Sequence, residues 1–218
     1  MKHIYCYIFL SIWGVCWVAA ASLSPTDSLL NLAKNATDDA SRISAYRNLA
    51  DIYFEKPEET YFLKQTYRVA EAAGRKEDMF DALTDLAFAY IKTHQMDSAL
   101  CYMKVVEKAG KPEETIPYLS FLRMRLYEGR YRNNDGQKAV DEELEFLKNS
   151  PVEKDNIFMQ IEQAYITGFG LYSQSKYEDS YPYLETAYKL AGTLPDREGK
   201  KVADLCHLKL SECTQLPG

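Results

Sequence analysis

Four apolar side chains recur along this chain at one fixed displacement, and that repetition limits the fold more than any other feature. Leu83, Leu86, Ala87 and Tyr90 stand at i, i+3, i+4 and i+7, so one face of a helix is apolar. Tyr46, Leu49, Ala50 and Tyr53 repeat the pattern 37 residues earlier at every position. After Tyr90 comes a polar break at His94-Gln95-Met96-Asp97, then a second apolar face of Ala99, Leu100, Met103 and Val106, ending near Gly110 and Pro112. Two amphipathic helices joined by so short a break fold back on each other as an antiparallel pair. A chain that repeats such a pair expects an array of pairs, each burying the apolar face of the last.

The same grammar continues downstream with longer spacing. Leu119, Leu122, Leu126 and Tyr127 stripe one helix, Asn133-Asn134-Asp135-Gly136 reads as a turn, and Ala139, Leu144 and Leu147 stripe the next. A fourth unit sets Ala164, Gly168 and Leu171 before a turn at Ser175-Lys176, then Tyr177, Ser180, Leu184, Ala187 and Leu190. Small residues at 99, 139 and 180 are 40 and 41 apart. Gly168-Phe169-Gly170 lacks the preceding strand and the following Gly-Lys-Ser/Thr of a phosphate loop, so Gly168 reads as a close-packing position. Glycine and proline number only 10 and 8, and alternating β-branched runs are nearly absent, which argues against a β-rich fold.

The order leucine, small residue, tyrosine, turn, alanine, bulky apolar residue resembles the tetratricopeptide (TPR) repeat. The resemblance implies an all-α, right-handed α-α superhelix, with units at about 38–74, 78–112, 114–149 and 152–192. The departures are a longer period than the usual 34 or so and Phe62 where the family prefers a small residue. Residues 22–36 read as an N-terminal capping helix: Ser24 caps, Pro25 takes the first helical position, Asp27 follows, and Thr37 can cap the next helix. Asn35-Ala36-Thr37 also matches a glycosylation acceptor, but a cap is the simpler use. Residues 196–218 read as a C-terminal helix, either a solvating cap or a shortened fifth repeat.

Residues 1–21 read as a signal peptide, with Lys2 and His3, an apolar run from Ile4 to Val18 and small residues at 19–21. An uncleaved anchor is the alternative, because the run approaches the roughly 18 residues that span a bilayer. The expected location is exported, periplasmic or secreted, in a bacterium. Without Lys2 the remaining chain has 25 basic and 32 acidic residues, a charge of -7, which repels phosphate backbones and argues against nucleic acid. Cys101, Cys206 and Cys213 remain after the leader. Cys206 and Cys213 are seven apart on one helix, a rise of roughly 10 Å and too far to bridge. Adjacent Cys206-His207 point apart and make no metal site. Glu58-Glu59 and Glu113-Glu114 open helices after prolines, where they complement the helix dipole rather than perform acid-base chemistry.

No cofactor, metal or catalytic residue is therefore expected, and the chain reads as non-enzymatic. In TPR proteins the first helix of each pair lines a concave face that holds ligand. The resemblance puts Arg47, Asn48, Asp51, Asp85, Phe88, Lys92, Met124, Arg125, Glu128, Tyr131, Tyr165, Phe169 and Tyr172 on that face. Polar residues occupy its N-terminal part and aromatics its C-terminal part, which suits a peptide or protein partner. The aromatics read equally well as fillers between long helices. Members that clamp a terminal carboxylate use asparagines where Asp51 and Asp85 stand, so that mode is not expected. A leader before long-period helices is also similar to periplasmic regions of Bacteroidetes sensor proteins. Two other functions follow: sensing a small molecule or glycan on Tyr131, Tyr165 and Tyr172, or assembly through the C-terminal helix by way of Leu205 and Leu208.

Overall fold

The structure is a computed structural model, and it describes residues 24–130, 156–195 and 197–215, together with Lys138, Asp141, Glu142, Leu144, Glu145 and Asn149. The leader at 1–21, the turn at 133–136, and Tyr131, Ala139 and Leu147 lie outside the described residues. Among the described residues there are helices and no strand, so the all-α class expected from the sequence is what is found. The helices are α1 (Pro25–Asn35), α2 (Asp39–Ile52), α3 (Pro57–Ala72), α4 (Lys76–Lys92), α5 (Met96–Ala109), α6 (Pro112–Arg130), α7 (Ile157–Ser173), α8 (Tyr177–Ala191) and α9 (Arg197–Gln215). None is long and apolar enough to cross a membrane.

Local chemistry accounts for the starts and stops. Ser24 accepts the Asp27 N–H at 3.1 Å and Pro25 opens α1. At α2 the cap is Asp38 rather than Thr37, because its carboxylate accepts the Ser41 N–H at 2.7 Å. Left-handed residues end three helices in the same way. His94, Ser175 and Gly74 have φ of 58, 61 and 66°. In each case the next amide donates back to the carbonyl five residues earlier: Gln95 to Tyr90, Lys176 to Leu171, and Arg75 to Ala70.

Each helix packs on its sequence neighbour wherever both are described. First helices of successive pairs also meet, α4 against α6 and α6 against α7. Leu83, Leu86, Ala87, Ala99 and Val106, which carry the sequence pattern, are all buried. Tyr53 and Tyr90 are half-buried at the joint between pairs. One apolar cluster joins α4 through α9, and a second joins α1 through α4, with Tyr67, Tyr90 and Tyr102 packed against both. Each fully buried leucine contributes about 1.5–3 kcal/mol. Gly168 sits where α7 and α8 come closest: a Cβ there would meet Leu184 Cγ at 2.8 Å and its backbone nitrogen at 3.1 Å. Ser180 completes the contact by donating to the Gly168 carbonyl at 2.7 Å.

Polar ties link helices about one unit apart in sequence. Lys92 reaches Glu59, 33 residues earlier, at 2.9 Å. Arg47 reaches Asp81 at 3.3 Å, and Arg123 grips Glu162 with two bonds of 2.5 and 2.7 Å across a separation of 39.

Candidate functional site

α9 decides what the expected groove looks like, because it lies along the first helices. Arg197 pairs with Asp81, and Lys201 reaches Asp85 at 3.3 Å; both pairs are separated by 116 residues. A constant separation means that α9 runs parallel to α4. Further along, Lys201 stands 5.8 Å from the Phe121 ring centre and Lys209 stands 3.6 Å from Glu128, so α9 runs parallel to α6 as well. Val202, Leu205, Cys206 and Cys213 supply its buried apolar side.

The groove residues divide according to that helix. Beneath α9, Met124, Glu128, Tyr165 and Phe169 are buried. Glu128 is the hub of this part: it accepts from the Tyr165 hydroxyl at 2.5 Å and from Arg125 at 2.6 Å, and pairs with Lys209. Lys209 is only 4% exposed and lies 5.5 and 5.8 Å from the ring centres of Phe169 and Tyr172. Burial, reinforced by Glu128, holds the Tyr165 hydroxyl well above its ordinary range. Burial likewise pushes the Cys206 thiol up to about 12. Tyr172 is half-buried at the edge, and Tyr165 presents no free face to a glycan.

Away from α9 the residues expected on that face are at least partly exposed. Asn48 and Asp51 are exposed on α2, while Arg47, Asp85, Phe88, Lys92 and Arg125 are half-buried. Arg125 and Lys92 lie 5.1 and 5.2 Å from the Phe88 ring centre, and Lys92 lies 3.3 Å from that of Phe54. A cavity of about 230 Å³ opens here between Glu55, Ile91, Lys92, His94, Arg125, Glu128 and Gly129. Loss of water around the carboxylate, with the charge of Asp85 adding to it, raises the Asp51 carboxyl above its usual range even though the residue is exposed.

A second cavity of about 310 Å³ lies beside the α9 N-terminus, lined by carboxylates at 77, 78, 81, 114 and 198 with Pro117, Tyr118 and Arg197. Glu198 is 4% exposed and its oxygens accept no aligned hydrogen bond among the described residues, although Lys201 stands 3.0 Å from one of them. Burial raises its carboxyl, with Asp81 and Asp85 pushing the same way. Among the described residues no group of three or more His, Cys, Asp or Glu could hold a metal ion. Cys101, Cys206 and Cys213 are free thiols.

No family model, no characterised protein and no solved structure matches the chain. Sequence reasoning passed over α9 as a groove-filling element and Glu128 as a hub. The available signal was the spacing of Arg197, Lys201 and Lys209, which places three cations on one side of a helix facing an acidic strip.

Proposed function

We propose that the chain is a TPR-like α-α superhelix, exported and non-enzymatic, that binds a peptide or protein segment along its first helices. The supporting observation is that this surface already seats a helical segment. α9 lies against α6 and α7 and reaches α4 with charged side chains, while the stretch bearing Asn48, Asp51, Phe88, Lys92 and Arg125 stays open beside it. Open apolar and charged groups alternate there, which suits a segment that anchors a side chain on Phe88 and pairs a cation with Asp51 or Asp85.

The test is selection from a random peptide library on the folded protein. Selected peptides are expected to lose at least tenfold in affinity on Asp51→Lys or Asn48→Lys, both at exposed positions, and to be indifferent to Lys104→Glu on α5. Peptides that bind independently of Asn48 and Asp51 would refute the reading. Export is tested separately, by N-terminal sequencing of the secreted product, expected to begin near Ser22.

A second reading, assembly between copies, draws on Leu208, which is 50% exposed on α9, and on Tyr181 and Tyr188, seven apart and so on one flank of α8. Concentration-dependent self-association lost on Leu208→Lys would favour it. Leu205 is buried inside the molecule and is unsuited to that role.

A further inference from the structure

α9 is held by an unusual mixture of forces. Its buried apolar side chains are Val202, Leu205, Cys206 and Cys213, with Ala203 and Leu210 half-buried against the same core, and its longest contact is with α8 rather than with α6 or α7. Much of the remaining grip is ionic: Arg197 on Asp81 and Asp85, Lys201 on Asp85, and Lys209 on Glu128. The acceptors belong to α4 and α6 and the cations to α9, so the groove supplies the negative half of every pair. One buried group opposes docking. Glu198 carries a carboxylate into the acidic side of the groove, beside Asp81 and Asp85. A buried charge without aligned partners costs free energy that the neighbouring lysine only partly offsets.

We infer that the groove between α4, α6 and α7 is a receptor for a basic amphipathic helix, and that α9 is its resident, exchangeable occupant. A partner helix with cations at the places of Arg197, Lys201 and Lys209, small apolar side chains at those of Val202, Leu205 and Cys206, and no carboxylate at that of Glu198 fits the surface better than α9 does. The inference rests on the groove-binding reading above but names a different half of the groove and a definite partner chemistry. α9 has the advantage of being tethered: a short linker of residues 192–196 gives it an effective concentration on the order of millimolar, which a partner must overcome. The Glu198 mismatch lowers that barrier.

The probe is a fluorescent peptide of residues 197–215 and its Glu198→Gln version, added to the full-length chain and followed by anisotropy. Binding is expected to be weak to the unaltered protein and at least tenfold tighter to Arg197→Glu/Lys201→Glu, in which the tethered helix has lost its anchors. Adding Asp81→Lys/Asp85→Lys is expected to abolish it. The Glu198→Gln peptide is expected to bind tighter than the native one to every chain that binds either. A parallel readout is alkylation of the chain's own Cys206, which α9 carries on its buried side and which is fully buried while α9 is docked. In the unaltered protein it is expected to speed up severalfold with added peptide, and with salt raised from about 50 to about 500 mM, as ionic pairs are screened.

Peptide binding indifferent to Asp81 and Asp85 would overturn the inference. So would an altered chain whose Cys206 reacts freely yet binds no peptide, or one that fills its groove by dimerising through α9. If Arg197→Glu/Lys201→Glu fails to fold by circular dichroism, the unaltered protein decides: Cys206 alkylation that ignores both salt and peptide refutes the exchange. Library peptides dependent on Asn48 and Asp51 would survive any of these failures, so the two readings fall separately.

Discussion

Glu162 is completely buried, and among the described residues the two bonds from Arg123 described above are what make that charge tolerable. Arg123→Ala removes the partner and leaves the carboxylate in an apolar setting, so a loss of about 3–5 kcal/mol is expected by urea denaturation. Replacing both residues with apolar ones of similar volume is expected to recover most of it, because the desolvation cost disappears with the pair. Gly168 makes the opposite kind of demand. Alanine is the better helix former by about 1 kcal/mol, yet at 168 its Cβ would press on the Leu184 backbone nitrogen at 3.1 Å, which cannot move aside as a flexible side chain can. Gly168→Ala is expected to lower Tm, whereas propensity alone predicts a rise. The sequence made Gly168 legible as a packing position because it stands within a recurring apolar stripe. It left Tyr165 and Phe169 undecided, since a first-helix aromatic faces a groove or a core according to what lies across from it, and no local period carries that information.

At the scale of the element, the turns were the most readable part of the chain. The polar breaks at His94 and Ser175 were recognisable from composition, and the structure shows both closing by the same bond pattern as the glycine turn at Gly74. What composition does not reveal is that His94 and Ser175 adopt positive φ, a conformation that costs a side-chain-bearing residue roughly 1–2 kcal/mol. Ser175→Gly removes that strain and gives part of it back as extra freedom in the unfolded chain. A net gain of about 0.5–1 kcal/mol is expected from chemical denaturation, and a loss would mean that the serine side chain holds the turn. Ser175 is the cleaner site for this measurement, because His94 also lines the open cavity. The cap of α2 shows the limit of motif reading: Thr37 and Asp38 are both good capping residues, and a one-residue choice between them depends on which side chain reaches the Ser41 amide.

For the whole molecule, the periodicity marks out the described helices but not how the last one closes over the others. The α8–α9 connection is short, which fixes α9 next to α8. Whether it then caps the end or lies back along α4, α6 and α7 depends on long-range charge pairs 116 and 81 residues apart, beyond the reach of any window. The closure has a consequence at alkaline pH. Cys206 is on the buried side of α9 and Tyr165 lies beneath that helix, and burial raises both groups above their ordinary ranges, the thiol to about 12 from 9.0. Above pH 9 the unfolded chain releases the Cys206 proton while the folded chain keeps it, so the folded state binds more protons and stability falls as pH rises. Between pH 9 and about 12 the slope from this one group is about 1.4 kcal/mol per pH unit. Below pH 9 both states keep the proton, and the contribution is complete and flat. Cys206→Ala is therefore expected to lower stability modestly at neutral pH through a small cavity and to flatten the decline above pH 9 in urea titrations. An equally steep alkaline limb in Cys206→Ala would show that the thiol is not shielded from water, and that α9 does not lie closed over Tyr165 and Glu128 in solution.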